Sequence, residues 1–330
     1  MKASASREAL LKQRVSTAIG AELRAIDELI ATHVGSAVGL IREIGGFVAG
    51  PGGRRLRPIL LLMAARLAGY RGPRVAHMGC VLELLHTATL VHDDVVDHAP
   101  LRRGRPSVNA RWGDDASVLV GDYLYAKAFA LMVQDRDLRV LETLAAATVS
   151  MTEAEVFRLE RKRARVTTEA DYLQVVTQKT ASLIAACCRI GGLLAECPPD
   201  RLEGLTRYGL DIGVALQISD DSLDFAVDHA QAVGAHLRDG KITLPLIAAL
   251  DRAGGPERDR VQQLLGLPAL DAEQVEEIRL LVMKHKGVEY ALDRAHVFAQ
   301  NAKSALSAFP ESTDRETLAV IADFVVDRDR

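Results

Sequence analysis

The stretch VLELLHTATLVHDDVVD at residues 81–97 joins an apolar segment to an acidic cluster, and IGVALQISDDSLD at residues 212–224 repeats the arrangement. Both stretches end in the pattern Asp-Asp-x-x-Asp. Residues four apart share one face of a helix. The first cluster therefore pairs Asp93 with Asp97, one helical turn away, beside a surface that looks buried rather than solvated.

The two acidic clusters are candidate metal sites. In the second cluster Asp220 and Asp224 form the same one-turn pair, and Asp94 and Asp221 are the middle residues of the two patterns. Uncompensated carboxylates beside apolar surface are costly, and oxygen-only clusters suit a hard cation such as Mg²⁺. One cluster alone could equally be an exposed acidic helix end. Two copies, with basic motifs between and after them, favour metal binding.

The composition places limits on the class of protein. The chain has 330 residues, 48% of them apolar and 26% charged, which is enough for a large core. A net charge of -3 argues against nucleic acid as the main partner. Residues 1–14 lack the apolar core of a secretion signal, and we find no apolar run long enough to span a membrane. Four cysteines without metal-ligand spacing predict a reducing, cytoplasmic setting. They are Cys80, Cys187, Cys188 and Cys197.

Helical periodicity runs through almost the whole sequence, whereas strand-like alternation is missing. With no low-complexity linker, the chain is predicted to form one all-helical domain, residues 1–330, with ligand sites built from facing helices. The predicted helices span residues 6–33, 36–46, 56–70, 74–98, 115–134, 137–163, 169–195, 200–228, 242–252, 256–265, 272–307 and 313–328.

Short basic motifs complement the acidic clusters. GGRRLRP at 52–58 sets three arginines at a predicted helix start, where anions are favoured and where arginine binds phosphate oxygens through two donors. Arg102 and Arg103 follow the first cluster, and Lys179 and Lys241 are further cations. Carboxylates, Mg²⁺, phosphate and basic side chains together suggest two phosphate-bearing substrates meeting in an apolar cavity.

At this point the sequence closely resembles the trans-isoprenyl diphosphate synthases, also called polyprenyl synthetases, over nearly its whole length. Among them it is most similar to the long-chain synthases that make quinone side chains. The motifs that carry the resemblance are GGRRLRP at 52–58, ELLHTATLVHDDVVD at 83–97, LRRGRPSVN at 101–109, VGDYL at 120–124, KTA at 179–181, QISDDSLD at 217–224 and DGKITLP at 239–245.

The resemblance implies an all-α, isoprenoid synthase-type bundle around a deep central cavity, usually a homodimer. It implies a prenyltransferase that joins an allylic diphosphate to isopentenyl diphosphate, head to tail and in trans configuration, with two or three Mg²⁺ ions. It also implies a cytoplasmic enzyme of isoprenoid biosynthesis, with peripheral membrane contact for product release.

The resemblance also assigns roles residue by residue. Asp93, Asp97 and Asp220 would bind Mg²⁺ directly, with Asp94, Asp221 and Asp224 in support. Arg102, Lys179 and Lys241 would hold the allylic diphosphate. Arg54, Arg57, His86 and Arg103 would hold isopentenyl diphosphate. Thr180 and Gln217 would lie near the reacting carbons, and Ala88 and Thr89 would set product length.

The chain departs from the family pattern in one segment. FAVDHAQAVGAHLR at 225–238 contains no lysine, and Gln231 stands where members usually carry one. Ala235 and His236 replace two acidic residues. Arg158 also stands where glutamine is usual. A cation facing diphosphate and an outer acid near Mg²⁺ are therefore missing from this segment.

Small residues one turn before Asp93 predict a long-chain product, because bulky aromatics there form a floor in short-chain members. Three other hypotheses stay open at this stage. The chain could be a short-chain synthase with a C15 or C20 product, a terpene cyclase-like lyase, or a weakly active or regulatory subunit of a heteromeric synthase. Complete acidic clusters and arginine pairs favour the active elongating enzyme.

Overall fold

A computed structural model of the chain describes residues 2–50, 55–102, 104–164, 167–225, 237, 240–267 and 269–327. These residues are almost entirely helical, so the all-α prediction is confirmed. The helices before the second acidic cluster are α1 (Lys2–His33), α2 (Gly39–Val48), α3 (Leu56–Leu67), α4 (Arg74–Val96), α5 (Val108–Trp112), α6 (Asp114–Asp135), α7 (Leu138–Ala164), α8 (Glu169–Val176) and α9 (Ser182–Leu194). The remaining ones are α10 (Pro199–Leu223), α11 (Leu244–Arg252), α12 (Gly255–Leu265), α13 (Ala272–Lys284), α14 (Gly287–Ala305) and α15 (Thr313–Val326).

The chain divides into two compact units, each containing one acidic cluster. The Asp93 unit comprises Lys12–Thr143 and Cys187–Leu202. The Asp220 unit comprises Met1–Leu11, Leu144–Ala186 and Glu203–Arg330.

Within the Asp93 unit, helices α4 and α6 pack along each other. Gly121 permits this close approach, since a Cβ at that position would lie 2.2 Å from Nε2 of His92. The His92 ring stacks on Tyr125, which in turn stacks on Phe129, with ring centroids 6.3 Å apart in both pairs. The contact between α4 and α6 thus fixes the helix that carries the first acidic cluster.

Helix α6 alone among the described helices is long and apolar enough to cross a membrane by length and composition. A packed helix of a globular protein meets the same criterion, and α6 packs along α4. Among the described helices, α6 is therefore the one weak indication against the sequence-based prediction that no segment spans a membrane.

In the Asp220 unit, the predicted helix 272–307 is two helices, which corrects the sequence-based boundary. Lys286 takes a left-handed conformation with φ of 54° and ends the helical path after α13. Gly287 then opens α14 against the carbonyl oxygen of Pro245, where a Cβ would come within 2.1 Å. Only glycine tolerates so close a backbone approach, and this glycine was the one sequence signal for the break.

Two further local features were not predicted from periodicity. Strands β1 (Leu101–Arg102) and β2 (Arg105–Pro106) form a small antiparallel hairpin after α4. The predicted helix 169–195 contains a π-helical turn, Thr177–Ala181, between α8 and α9. Such turns are rare and are often found at functional sites, and this one carries Lys179 and Thr180.

Candidate active site

One face of α4 is accessible towards its C-terminal end, and it carries four of the predicted site residues. His86, Thr89, Asp93 and Asp97 are partly exposed, whereas Ala88 is fully buried. Spacings of three and four residues put the four accessible side chains on one side of the helix. A ligand bound at the pair of outer carboxylates therefore also reaches the positions one and two turns before them.

The middle aspartate of the first cluster has a different environment from its neighbours. The side chain of Asp94 is only 3% exposed and receives the guanidinium of Arg102. Nε of Arg102 donates to Oδ1 at 2.7 Å and to Oδ2 at 2.8 Å, and Nη2 lies 2.5 Å from Oδ1. Asp94 thus anchors the hairpin arginine, which leaves Asp93 and Asp97 as the accessible carboxylates.

Removing the guanidinium in Arg102→Ala should destabilise the protein, because Asp94 would stay buried without its charged partner. We expect the free energy of unfolding to fall by about 2–3 kcal/mol, near the lower end for breaking a buried pair since Arg102 is partly exposed. The measurement is urea unfolding followed by circular dichroism without ligands. Arg105→Ala, at the opposite hairpin position, should cost only about 0.5–1 kcal/mol. Equal losses in the two variants would show that the Asp94 pair contributes nothing specific.

An aromatic cluster holds the other side of the hairpin, and sequence reasoning missed it. Phe47, at the end of α2, meets Trp112 edge to face with ring centroids 5.0 Å apart. The guanidinium of Arg105 lies 4.7 Å from the Phe47 ring, and that of Arg111 lies 4.4 Å from the Trp112 ring. The hairpin is therefore fixed by Asp94 through β1 and by Phe47 through β2.

The arginines around the start of α3 have separate roles. Arg55 has a φ of 48° and turns to Glu83 of α4, donating to its carboxylate at 2.7 Å. Arg57, the second residue of α3, is partly exposed. Arg54 and Arg103 lie outside the described residues, so their assignment to isopentenyl diphosphate stays a prediction.

In the Asp220 unit, a chain of side-chain hydrogen bonds joins the π-helical turn to the second acidic cluster. Thr180 donates to Oε1 of Gln217 at 3.0 Å, and Nε2 of Gln217 donates to Oδ1 of Asp221 at 2.8 Å. The hydroxyl of Tyr172 donates to the other oxygen of Asp221 at 2.7 Å. The buried Asp221 is thus the counterpart of Asp94, a carboxylate held by protein donors.

The outer residues of the second cluster differ in exposure from this middle residue. Asp220 is exposed and Asp224 is partly exposed. Burial and the neighbouring Asp221 carboxylate raise the pKa of Tyr172 well above its ordinary value, so its hydroxyl stays protonated and donates. The result is the same division as in the first cluster, with one anchored carboxylate and two that solvent or a ligand can reach.

A close helix contact sets the position of Gln217. A Cβ at Gly213 would lie 2.4 Å from Cα of Ala181, and one at Gly209 would lie 2.7 Å from Cα of Ala185. The two glycines and Gln217 follow one another at four-residue intervals on α10, so they share a face. Glycine at 209 and 213 lets the backbones approach, and Gln217 then comes within bonding distance of the π-helical turn.

Lys179, on the π-helical turn, forms an ion pair with Glu155 of α7. Arg158 of the same helix also bonds to Glu155, through Nε at 3.0 Å and Nη2 at 2.7 Å. Lys241 is partly exposed just before α11. The departures at Gln231, Ala235 and His236 lie outside the described residues.

The accessible carboxylates fit a divalent cation bound jointly with a ligand. Within the described chain, no group of three or more His, Cys, Asp or Glu side chains is arranged as a complete metal site. Each cluster offers two reachable carboxylates one turn apart, so the remaining ligands must be water or phosphate oxygens. Mg²⁺ is bound in this way in many phosphate-handling sites.

Known proteins with the same sequence pattern and fold identify the class. The family model described as Polyprenyl synthetase matches residues 39–282. The chain is 35% identical over 321 residues to octaprenyl diphosphate synthase of Escherichia coli (strain K12), covering 96% of this chain and 99% of that protein.

Solved structures agree with this sequence match. A decaprenyl diphosphate synthase from Rhodobacter capsulatus is 37% identical, with a TM-score of 0.91 over 96% of this chain and 99% of that one. A polyprenyl synthase from Caulobacter crescentus CB15, solved with calcium and isoprenyl diphosphate, is 37% identical with a TM-score of 0.91 over 96% of this chain and 97% of that one. The chain belongs to the polyprenyl synthetase family, so the resemblance found in its motifs is confirmed.

Proposed function

We propose that this chain is a polyprenyl diphosphate synthase that extends an allylic diphosphate with isopentenyl diphosphate, in trans configuration, to a long-chain product. The relatives named above include octaprenyl and decaprenyl diphosphate synthases, and this similarity supports a long-chain product. The proposal extends to a cytoplasmic homodimer. The homodimer is supported by three exposed apolar side chains on α6, Val118, Leu119 and Val133, which a second copy would cover.

The observation that carries the proposal is the difference in burial between the middle and the outer aspartates of each acidic cluster. Asp94 and Asp221 are fixed by protein donors, while the two outer carboxylates of each cluster stay accessible. A purely structural role for the clusters gives no reason for two solvent-exposed carboxylates beside one that is buried. A ligand that brings cations and phosphate gives such a reason.

The chain's own residues can be assigned to the successive parts of the reaction. Asp93, Asp97, Asp220 and Asp224 would hold Mg²⁺, and Mg²⁺ supplies charge neutralisation for a diphosphate leaving group. Arg102, Lys179 and Lys241 would bind the allylic diphosphate and stabilise the charge that develops as it departs. Arg54, Arg57, His86 and Arg103 would hold the second diphosphate in place.

The reaction then runs in three bond changes. The bond between C1 and oxygen of the allylic diphosphate breaks, and its electron pair leaves with the diphosphate. The double bond of isopentenyl diphosphate attacks the allylic cation at C1. A proton is lost from the joined unit to the released diphosphate, which restores a double bond. Thr180 and Gln217, which are joined by a hydrogen bond of 3.0 Å, are assigned to positions near the reacting carbons.

The decisive test is an elongation assay on the purified chain with an allylic diphosphate and labelled isopentenyl diphosphate. With Mg²⁺ we expect labelled polyprenyl diphosphate, and chelation with EDTA should abolish turnover until Mg²⁺ is restored. Release of diphosphate with a hydrocarbon or alcohol would instead indicate a cyclase-like lyase. An absence of activity that is relieved only when a partner chain is added would indicate a subunit of a heteromeric synthase.

A further inference from the structure

A single arginine joins three helices of the Asp93 unit. Nη1 of Arg55 donates to Oε2 of Glu83 on α4 at 2.7 Å, and Nη2 lies 2.8 Å from Oδ1 of Asp27 on α1. Arg55 itself directly precedes α3. A guanidinium presents its donors in a rigid planar fork, so it can bond two carboxylates at defined positions. We name Asp27, Arg55 and Glu83 the 27–55–83 bridge.

The two carboxylates of the bridge differ in exposure. The side chain of Glu83 is 9% exposed and that of Arg55 is 21% exposed, whereas that of Asp27 is 53% exposed. An ion pair with an exposed carboxylate contributes little to stability, since water and salt screen it. A buried carboxylate that loses its cation is strongly unfavourable. Glu83 is therefore the partner that fixes Arg55.

Close packing of α1 on α4 sets the place of the bridge. A Cβ at Gly79 would lie 2.4 Å from Cδ1 of Ile26, the fully buried residue before Asp27. Gly79 and Glu83 are four residues apart, so they share a face of α4. The contact of Ile26 with Gly79 therefore brings Asp27 near Glu83, and the guanidinium of Arg55 lies between the two carboxylates.

The backbone of Arg55 is strained. Its φ of 48° and ψ of 31° lie in the left-handed region. A residue with a Cβ enters this region at a cost that glycine does not bear. Such conformations persist where the surrounding structure holds them. The bonds to Glu83 and Asp27 do so here, because they fix the guanidinium while the backbone turns into α3.

The strained turn lies close in sequence to two residues assigned to isopentenyl diphosphate. Arg57 follows Arg55 by two positions, in the first turn of α3. His86 follows Glu83 by three positions, so the two lie on the same side of α4. Helices α3 and α4 pack against each other, and both Arg57 and His86 are partly exposed. The bridge thus joins the segment that carries Arg57 to the helix that carries His86, within one helical turn of each.

We propose that Arg55 is a positioning residue for isopentenyl diphosphate. Through Glu83 it holds the start of α3 in the left-handed turn, and this turn sets the position of Arg57 relative to His86. The inference rests on the proposed function, because it takes Arg57 and His86 as residues that bind isopentenyl diphosphate. A bridge that only adds stability would need the ion pair but no particular backbone conformation at Arg55.

The test compares Arg55→Ala with Arg55→Gly, which lose the same ion pairs and differ only in the backbone. We expect the KM for isopentenyl diphosphate to rise about five- to thirtyfold in Arg55→Ala, because alanine disfavours the left-handed turn. The rise should be at most about threefold in Arg55→Gly, since glycine adopts the turn without strain. The KM for the allylic diphosphate should stay unchanged in both. Equal rises for isopentenyl diphosphate in the two variants would refute the role of the turn.

A second pair of variants separates this effect from a loss of stability. In Arg55→Ala and Arg55→Gly the buried Glu83 carboxylate loses its cation, so both substitutions are also made together with Glu83→Gln, which leaves no buried charge unpaired. Calorimetric titration with isopentenyl diphosphate alone measures affinity without turnover. The alanine chain should still bind it more weakly than the glycine chain. Loss of that difference would show that the effect came from the unpaired Glu83 and would refute the inference.

Arg74→Gln is the matched control in the same unit. Arg74, the first residue of α4, donates to Asp135 through Nε at 2.8 Å and Nη2 at 2.6 Å, and the Asp135 side chain is 3% exposed. This variant should unfold at lower urea concentration than wild type, with an unchanged KM for isopentenyl diphosphate. A rise in that KM as large as in Arg55→Ala would mean that loss of any such ion pair has this effect, contrary to the inference.

The failure of this inference can be told apart from failure of the proposed function. If Arg57→Ala weakens the binding of isopentenyl diphosphate but the alanine and glycine variants at Arg55 bind it as wild type does, the role of Arg55 is refuted and the site stands. If Arg57→Ala and His86→Ala both bind it as tightly as wild type, the assignment of isopentenyl diphosphate to this site is refuted.

Discussion

Turnover should fall by about three orders of magnitude in Asp93→Asn and in Asp220→Asn, with the fold intact. Each variant removes one charged oxygen ligand from a cation that stabilises the leaving diphosphate, an effect worth several kcal/mol, and about 4 kcal/mol corresponds to a thousandfold change in rate. Both side chains reach solvent, since Asp93 is partly exposed and Asp220 is exposed, so asparagine leaves no buried gap. Single-turnover assays over a range of Mg²⁺ concentrations would measure the loss.

The middle aspartates provide the control for this prediction. Asp94→Asn and Asp221→Asn change carboxylates that are buried and bonded to Arg102 and Tyr172, so they should lower the free energy of unfolding, which Asp93→Asn and Asp220→Asn should not. Near-normal turnover in folded Asp93→Asn and Asp220→Asn would show that the clusters only terminate helices. Loss of a helix-capping interaction typically costs about 1 kcal/mol of stability.

The spacing of the aspartates in each acidic cluster could be predicted from the sequence. Which of them are buried and which are accessible could not. Residues four apart share a helix face whatever surrounds them, so the pairs Asp93 with Asp97 and Asp220 with Asp224 followed from the pattern. What distinguishes Asp94 and Asp221 is a tertiary partner. Tyr172 lies 49 positions before Asp221, and no local signal links the two.

The hairpin and the π-helical turn also could not be predicted from the sequence. The hairpin strands contain only two residues each, too few for an alternating pattern to appear. The turn at Thr177–Ala181 interrupts an otherwise regular helical pattern, and it matters because Gly213 of α10 packs against it. Local propensity predicts elements of ordinary length, whereas these features depend on what packs beside them.

We expect product length to depend on the accessible face of α4. The resemblance assigned Ala88 and Thr89 equal roles, but Thr89 is partly exposed one turn before Asp93, while Ala88 is fully buried. Both assignments remain predictions, with different expected consequences for the two positions. An aromatic ring at Thr89 would stand on the face along which we expect the chain leaving Asp93 to run, whereas a ring at Ala88 must first displace packed neighbours.

Thr89→Phe should therefore shorten the product sharply, while the condensation chemistry at Asp93 continues. Mass spectrometry of the dephosphorylated products would measure the change, with the rate of the first condensation as a check on catalysis. Ala88→Phe should also shorten the product, but at a cost of about 1–3 kcal/mol in stability from overpacking.

Thr87→Phe is the matched control, because the same substitution two positions earlier on α4 points away from Thr89. It should leave product length unchanged. A wild-type product of only fifteen or twenty carbons would contradict the open path, since the chain would already be stopped elsewhere. An unaltered distribution of chain lengths in Thr89→Phe would show that the growing chain does not follow this face of α4.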